Sequence, residues 1–132
     1  MGLALKLLLD TSTLIWITVE PGQVSSAARA ELDSAGNELW VSAASAWEIA
    51  TKHRLGRLEH AGPLVTGWSE QLERFSFDCL PVTDRHALRA GSYEIDHADP
   101  FDRMIAAQAE LEQMTVVAID RAFDLFPVRR LW

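Results

Sequence analysis

Apolar positions along the chain follow two rhythms, short continuous runs and helical repeats, and they alternate. Leu3–Leu9 is apolar everywhere except Lys6 and ends at Asp10. Such a run suits a strand buried on both faces of a parallel sheet, although its leucine content would suit a helix equally well. Asp10-Thr11-Ser12-Thr13 then opens a helix through Leu14-Ile15-Trp16-Ile17 that Pro21-Gly22 breaks. Ser25 or Ser26 starts a second helix, Ala27 to Leu32, closed by Gly36-Asn37. Leu39-Trp40-Val41 is a brief strand. Ser42 caps a helix from Ala43 to about Leu55, ended by Gly56. Beyond Gly62-Pro63 the pattern predicts one helix from about Leu64 to Phe75, then a strand, Phe77–Val82, with Pro81 marking its end. Thr83 caps a helix from Asp84 to Ala90, stopped by Gly91.

The clearest helix start is Asp99-Pro100-Phe101-Asp102. Asp99 can cap the free N–H groups, Pro100 occupies the first helical position, and Asp102 meets the positive end of the helix dipole. Ile105, Ala106 and Ala109 continue at helical spacing. Thr115–Ile119 is β-branched and apolar and leads to Asp120. A short helical turn through Phe123 is followed by a last edge strand over Val128–Trp132. Strands alternating with helices predict an α/β sandwich around a mainly parallel sheet of about five strands. In that architecture the site lies beyond the carboxyl ends of the strands, where Asp10 and Asp120 fall.

Composition narrows the class. The 132 residues form one domain, 48% hydrophobic and 23% charged, as in ordinary soluble proteins. Cys79 is the only cysteine, so no internal disulfide is possible, which suits a reducing cytoplasm. No apolar run approaches the ~20 residues of a membrane span, and Lys6 within the apolar start argues against a signal peptide. Twelve basic against 19 acidic residues leave a net charge of −7. A free-standing nucleic-acid binder driven by charge is thereby disfavoured, whereas acids gathered around cations, or a basic protein partner, are not.

Each acid has an ordinary structural role available. Asp10, Asp99 and Asp120 can cap helices, and Glu48 can pair with Lys52 at i+4 for only ~0.3–0.5 kcal/mol. Together they point to chemistry, because converging carboxylates repel one another unless protonated or bridged by a divalent cation. Hard oxygen ligands select Mg²⁺ or Mn²⁺. Phosphate-binding glycine loops, a nucleophile elbow and zinc spacing among His53, His60, His86 and His97 are all missing from the sequence. His97 reads as a solvent-facing loop residue, and the five tryptophans read as core and interface. Lys52, His53, Arg54 and Arg57 satisfy a helix C-terminus, with phosphate contact as the second reading.

The succession Leu7-Leu8-Leu9-Asp10-Thr11-Ser12, Ser45-Ala46-Trp47-Glu48-Ile49-Ala50, Asp99-Pro100-Phe101-Asp102-Arg103-Met104-Ile105-Ala106 and Val116-Val117-Ala118-Ile119-Asp120 resembles the PIN-domain ribonucleases, most of all the VapC-type toxins of prokaryotic toxin–antitoxin pairs. The resemblance covers essentially the whole chain. It implies a PIN-like three-layer sandwich and an acidic site of Asp10, Glu48, Asp102 and Asp120, with Asp10, Asp102 and Asp120 holding Mg²⁺ or Mn²⁺. Ser12 matches the hydroxyl that braces the first acid, and Asp99 an additional acid of the Asp-Pro-Phe-Asp-Arg subgroup. Lys52, Arg54 and Arg103 are the cations expected to meet RNA. One departure is Ala118, where many relatives carry threonine. The implied activity is metal-dependent hydrolysis of RNA phosphodiesters, leaving 5′-phosphate and 3′-hydroxyl ends, by a homodimer inhibited by a VapB-type antitoxin. Two rivals are a non-catalytic interaction module on the same fold and a metal-dependent phosphatase. Asp10-Thr11-Ser12 lacks the Asp-x-Asp pattern of the latter.

Overall fold

The computed structural model describes residues 4–132; Leu3, assigned above to the first strand, lies outside them. Five strands, β1 (Lys6–Leu9), β2 (Glu38–Ser42), β3 (Asp78–Leu80), β4 (Thr115–Val117) and β5 (Arg130–Leu131), form one sheet in the order β3-β2-β1-β4-β5. Every pairing is parallel. Among the described residues, seven α-helices accompany them: α1 (Thr11–Val19), α2 (Ser26–Leu32), α3 (Ala43–Arg54), α4 (Gly62–Thr66), α5 (Trp68–Phe75), α6 (Asp84–Ser92) and α7 (Pro100–Glu112).

The apolar first strand is buried on both faces because the pleat sends alternate side chains to opposite sides. Leu7 and Leu9, with Val117, join a core that includes Leu14, Ile15, Ile49, Leu64 and Leu72, contributed by α1, α3, α4 and α5. Leu8, with Val116 and Ala118, joins a second core holding Ala90, Ile105, Ala106, Ala109 and Phe123. Leu7, Leu8 and Leu9 are fully buried, and each contributes about 2 kcal/mol of hydrophobic stabilisation. Sheet and two covering layers make the expected sandwich.

Helix starts follow local chemistry. Asp10, Ser25, Ser42, Thr83 and Asp99 each occupy an N-cap and accept a hydrogen bond from a backbone N–H of the first turn. The predicted helix from Leu64 to Phe75 is instead two, α4 and α5, broken at Gly67. There the backbone leaves the helical region (φ −132°, ψ 44°) and the Gly67 N–H closes back on the Pro63 carbonyl at 2.9 Å. A Cβ at Gly67 would stand 3.2 Å from that same oxygen, so the tight turn favours glycine. Helix α6 runs through Gly91 to Ser92, one residue past the stop read from sequence. The fourth strand ends at Val117, leaving Ile119 half exposed (49%) outside it.

The chain leaves β1 in one direction, to β2 and β3, and returns on its other side as β4 and β5. A crevice therefore opens at the carboxyl ends of β1 and β4, the switch point of an open parallel sheet.

Candidate active site

Asp10 is the first residue beyond β1. Its N–H donates to the Val117 carbonyl at 3.1 Å, joining the ends of β1 and β4. The carboxylate turns back to cap α1, accepting from the Thr13 N–H at 2.8 Å, while the Thr13 hydroxyl donates to the same Val117 carbonyl at 2.9 Å. The brace on Asp10 is thus Thr13, which is fully buried, and not the exposed Ser12 expected from the resemblance. The reason is geometric: a capping side chain reaches the N–H three residues on, and in this turn position 13 faces the sheet.

Helix α3 brings Glu48. Ser42 caps it, with the Ala44 N–H 3.0 Å from its hydroxyl oxygen, and Thr11 and Ser45 share a buried hydroxyl hydrogen bond of 2.9 Å that fastens α1 to α3. Glu48, one turn further, is buried (6% exposed) and paired with Lys52. The ordinary i,i+4 partnership therefore exists, but on a buried acid.

Helix α7 brings Asp102. Asp99 caps it through the N–H groups of Phe101 (2.8 Å) and Asp102 (3.2 Å). The Asp102 carboxylate meets His97 Nε2 at 2.9 Å, so His97 is part of the site and not a solvent-facing loop residue. Arg103 accounts for that placement. Its guanidinium donates to four backbone carbonyls, Ala90 (2.9 Å), Tyr93 (2.6 Å), Ile95 (3.1 Å) and His97 (3.0 Å), and so holds the segment between α6 and α7 in shape. Four of its five donors are thus directed at the chain itself. The Arg following Asp102 in the motif was the available signal, because a fork of five donors suits carbonyl clusters as well as phosphates.

The charges show which acids meet. Burial, reinforced by Asp102 and Glu48, pushes the Asp10 carboxyl up to about 6 against the pull of Thr13. Asp102 is likewise raised, by burial first and then by Asp99 and Glu48, with His97 opposing. Glu48 and Asp102 thus act on Asp10, and Asp99 and Glu48 act on Asp102. Asp120 stands differently: it is exposed, and its carboxylate accepts from the Ala122 N–H at 2.9 Å to cap the 3₁₀ turn Arg121–Leu125. Ala118, lacking the hydroxyl of many relatives, is wholly buried.

The donor set suits a hard divalent cation, whose charge would offset the burial and, secondarily, the neighbouring acids that raise Asp10 and Asp102. As placed, no three acidic or imidazole groups among the described residues converge tightly enough to enclose an ion. Glu48 is turned to Lys52 and Asp102 to His97.

Comparison with known proteins agrees with this architecture. No curated protein sequence matches the chain. Among solved structures it is similar to VapBC2 from Rickettsia felis bound to a DNA fragment from their promoter, at TM-score 0.59 and 11% identity, covering 97% of this chain and 100% of that one. It is similar also to FitAcB from Neisseria gonorrhoeae, at TM-score 0.59 and 23% identity, covering 94% and 95%. A third is PAE2754 from Pyrobaculum aerophilum, at TM-score 0.50 and 18% identity, covering 97% and 92%. At such identities the likeness establishes the fold. Residues 7–128 match the PIN domain as a family, and the chain belongs to the PIN-domain family.

Proposed function

We propose that the chain is a divalent-metal-dependent endoribonuclease, the VapC-type toxin of a toxin–antitoxin pair. The observation that supports this reading is the buried Asp10 carboxyl just beyond β1, pushed up by burial and then by the charges of Asp102 on α7 and Glu48 on α3, at the switch point of a PIN-domain sheet. Asp10 and Asp102 would hold Mg²⁺ or Mn²⁺, with Asp120 contributing from the exposed rim beyond β4. When bound, the ion offsets charge on the phosphodiester and lowers the pKa of water at the site. Glu48, released from Lys52, accepts a hydrogen bond from the attacking water and orients it. Lys52 then becomes available to a phosphate oxygen, and Arg54, exposed at the end of α3, meets the strand further out. Thr13 and His97 hold the two principal acids in place.

The partners follow from the same reading. The structural neighbours include VapBC2 and FitAcB, and the net charge of −7 suits an antitoxin segment whose arginine pairs with the acids. A homodimer completes the expected assembly.

The test is cleavage of total cellular RNA by purified protein with Mg²⁺, Mn²⁺ or EDTA, beside Asp102→Asn and Asp120→Asn. A discrete product set is expected, lost with chelator, reduced on the order of 10³-fold in Asp102→Asn and less in Asp120→Asn. Full activity in Asp102→Asn would sink the assignment. The second reading, a non-catalytic interaction module, is favoured by one observation: Lys52 and His97 already occupy two of the acids. Folded, antitoxin-free protein that leaves RNA intact would select it.

A further inference from the structure

The carboxyl end of α3 and the turn after it carry Lys52, His53, Arg54 and Arg57 within six residues. The ordinary role of such a run is to satisfy the free carbonyls of a helix C-terminus. Here backbone N–H groups do that instead. The Leu55 N–H donates to the Thr51 carbonyl at 3.1 Å, the Gly56 N–H to that of His53 at 3.0 Å, and the Arg57 N–H to that of Lys52 at 2.9 Å. Gly56 supplies the left-handed φ of 76° that this closing turn requires. The helix end therefore does not call on the Arg57 side chain. Arg57 is exposed and enters none of the ion pairs formed among the described residues.

The same turn decides where Arg57 stands. Glu48 and Lys52, about one helical turn apart, share a face of α3 and pair there. By closing back onto the Lys52 carbonyl, the chain sets Arg57 next after Lys52 on the way out from the acids. Arg54 leaves α3 on another side, about 200° around the axis from Lys52. Other cations are engaged or remote. Arg89, Arg103 and Arg130 are held by Glu110, by backbone carbonyls and by Asp124. Arg129 is exposed but lies with Leu5 and Thr115 at the amino edge of the sheet, opposite the edge where Asp10 stands. In a chain of net charge −7, local cations and not the overall charge must hold a polyanion.

We infer that Arg57 is an RNA-binding residue whose guanidinium takes the backbone phosphate next to the one met by Lys52, on the face of α3 that carries Glu48. This deepens the nuclease reading and rests on it. A guanidinium on a phosphate reads no base, so the contact adds affinity for single strands of any sequence and positions them along α3.

The test is fluorescence anisotropy of labelled single-stranded RNA homopolymers with the Asp10→Asn protein in Mg²⁺, over about 50 to 200 mM KCl. Adding Arg57→Ala is expected to weaken every homopolymer alike, on the order of fivefold at low salt. The slope of log affinity against log salt should fall by about 0.7, the share of one phosphate on a single strand. Arg57→Lys should keep the slope. Arg129→Ala, which removes the same charge at the opposite edge, should leave slope and affinity unchanged. An unchanged slope in Arg57→Ala, an equal loss in Arg129→Ala or in Arg57→Lys, a loss confined to one homopolymer, or no binding by the parent would overturn the contact. So would an affinity loss that accompanies a change of oligomeric state in light scattering, since Arg57 would then be a subunit contact. In the cleaving protein, Arg57→Ala should raise KM and leave kcat unchanged. A lowered slope where wild-type protein leaves RNA intact in Mg²⁺ or Mn²⁺ would keep the contact and remove the nuclease. Cleavage with a KM indifferent to Arg57 would do the reverse.

Discussion

Asp102 and Glu110 stand about two turns apart on α7, and their carboxyls are pushed in opposite directions. Glu110 sits below its usual range because Arg89 grips both its oxygens, at 2.7 and 3.1 Å, and Tyr93 donates its hydroxyl at 2.7 Å. Arg89 also lies over the Tyr93 ring, 4.4 Å from its centroid, so the cluster pins α6 to α7. Asp102 sits above its usual range because burial and neighbouring acids outweigh His97. One helix thus carries a carboxylate whose charge supports the fold and another whose charge opposes it. Perturbation of the second kind supports the functional role proposed for Asp102, although scaffold ion pairs also shift pKa values.

The contrast is sharpest at Asp10. Its carboxyl is raised from an ordinary 3.8 to about 6, so the folded protein keeps a proton that the unfolded chain has already released. Stability from this group is full below pH 3.8, falls as pH rises towards 6, and is lower by about 3 kcal/mol above that, at about 1.4 kcal/mol per pH unit. Asp10→Asn should therefore abolish cleavage and stabilise the metal-free protein at pH 7.5 by up to that amount. Urea unfolding across pH 4–8 checks the slope, and Mg²⁺ should stabilise the parent but not the variant. A variant less stable than the parent at pH 7.5 would show that Thr13 compensates Asp10 fully.

Arg103 links the two halves of the comparison, since it stands beside Asp102 yet bonds only to the backbone between α6 and His97. Arg103→Lys cannot reproduce a four-carbonyl fork, and a loss of about 2 kcal/mol in urea unfolding is expected. Cleavage should fall about tenfold beyond what residual unfolding explains, because His97 loses its support. Unchanged salt dependence of RNA binding in this variant would separate a positioning role from a phosphate contact.

The smallest effect is expected at Glu110. Its depressed carboxyl contributes stability that is present above the ordinary value of 4.5 and is lost as pH falls through its lowered value. Glu110→Gln should lower the neutral-pH unfolding midpoint slightly, flatten the acid-side loss, and leave the cleavage rate per folded molecule unchanged. A marked fall in that rate would show that the α6–α7 pin reaches the acids.

Much of this was readable before any coordinates. The caps at Asp10, Ser42, Thr83 and Asp99 lie within three residues of the N–H groups they satisfy, and such short-range chemistry is written in adjacent letters. The doubly buried first strand and the α/β alternation follow from hydrophobic pattern, while β3 is shorter than the predicted Phe77–Val82 and stops at Leu80, before Pro81. The order of acids at strand and helix ends also pointed to the metal-site reading.

Other decisions belong to the folded chain. The order β3-β2-β1-β4-β5 brings the charges of Glu48 and Asp102 to bear on Asp10 while leaving Asp120 exposed at the rim, and no local pattern encodes which strand neighbours which. The Gly67 break depends on a backbone oxygen in its path. Sequence determined which residues can cap, pack or ionise, because those are properties of a side chain and its near neighbours. Tertiary structure decided whether Arg103 meets carbonyls or solvent and whether His97 meets Asp102. Those outcomes depend on where distant segments are carried by the crossovers, and burial and charge act through space.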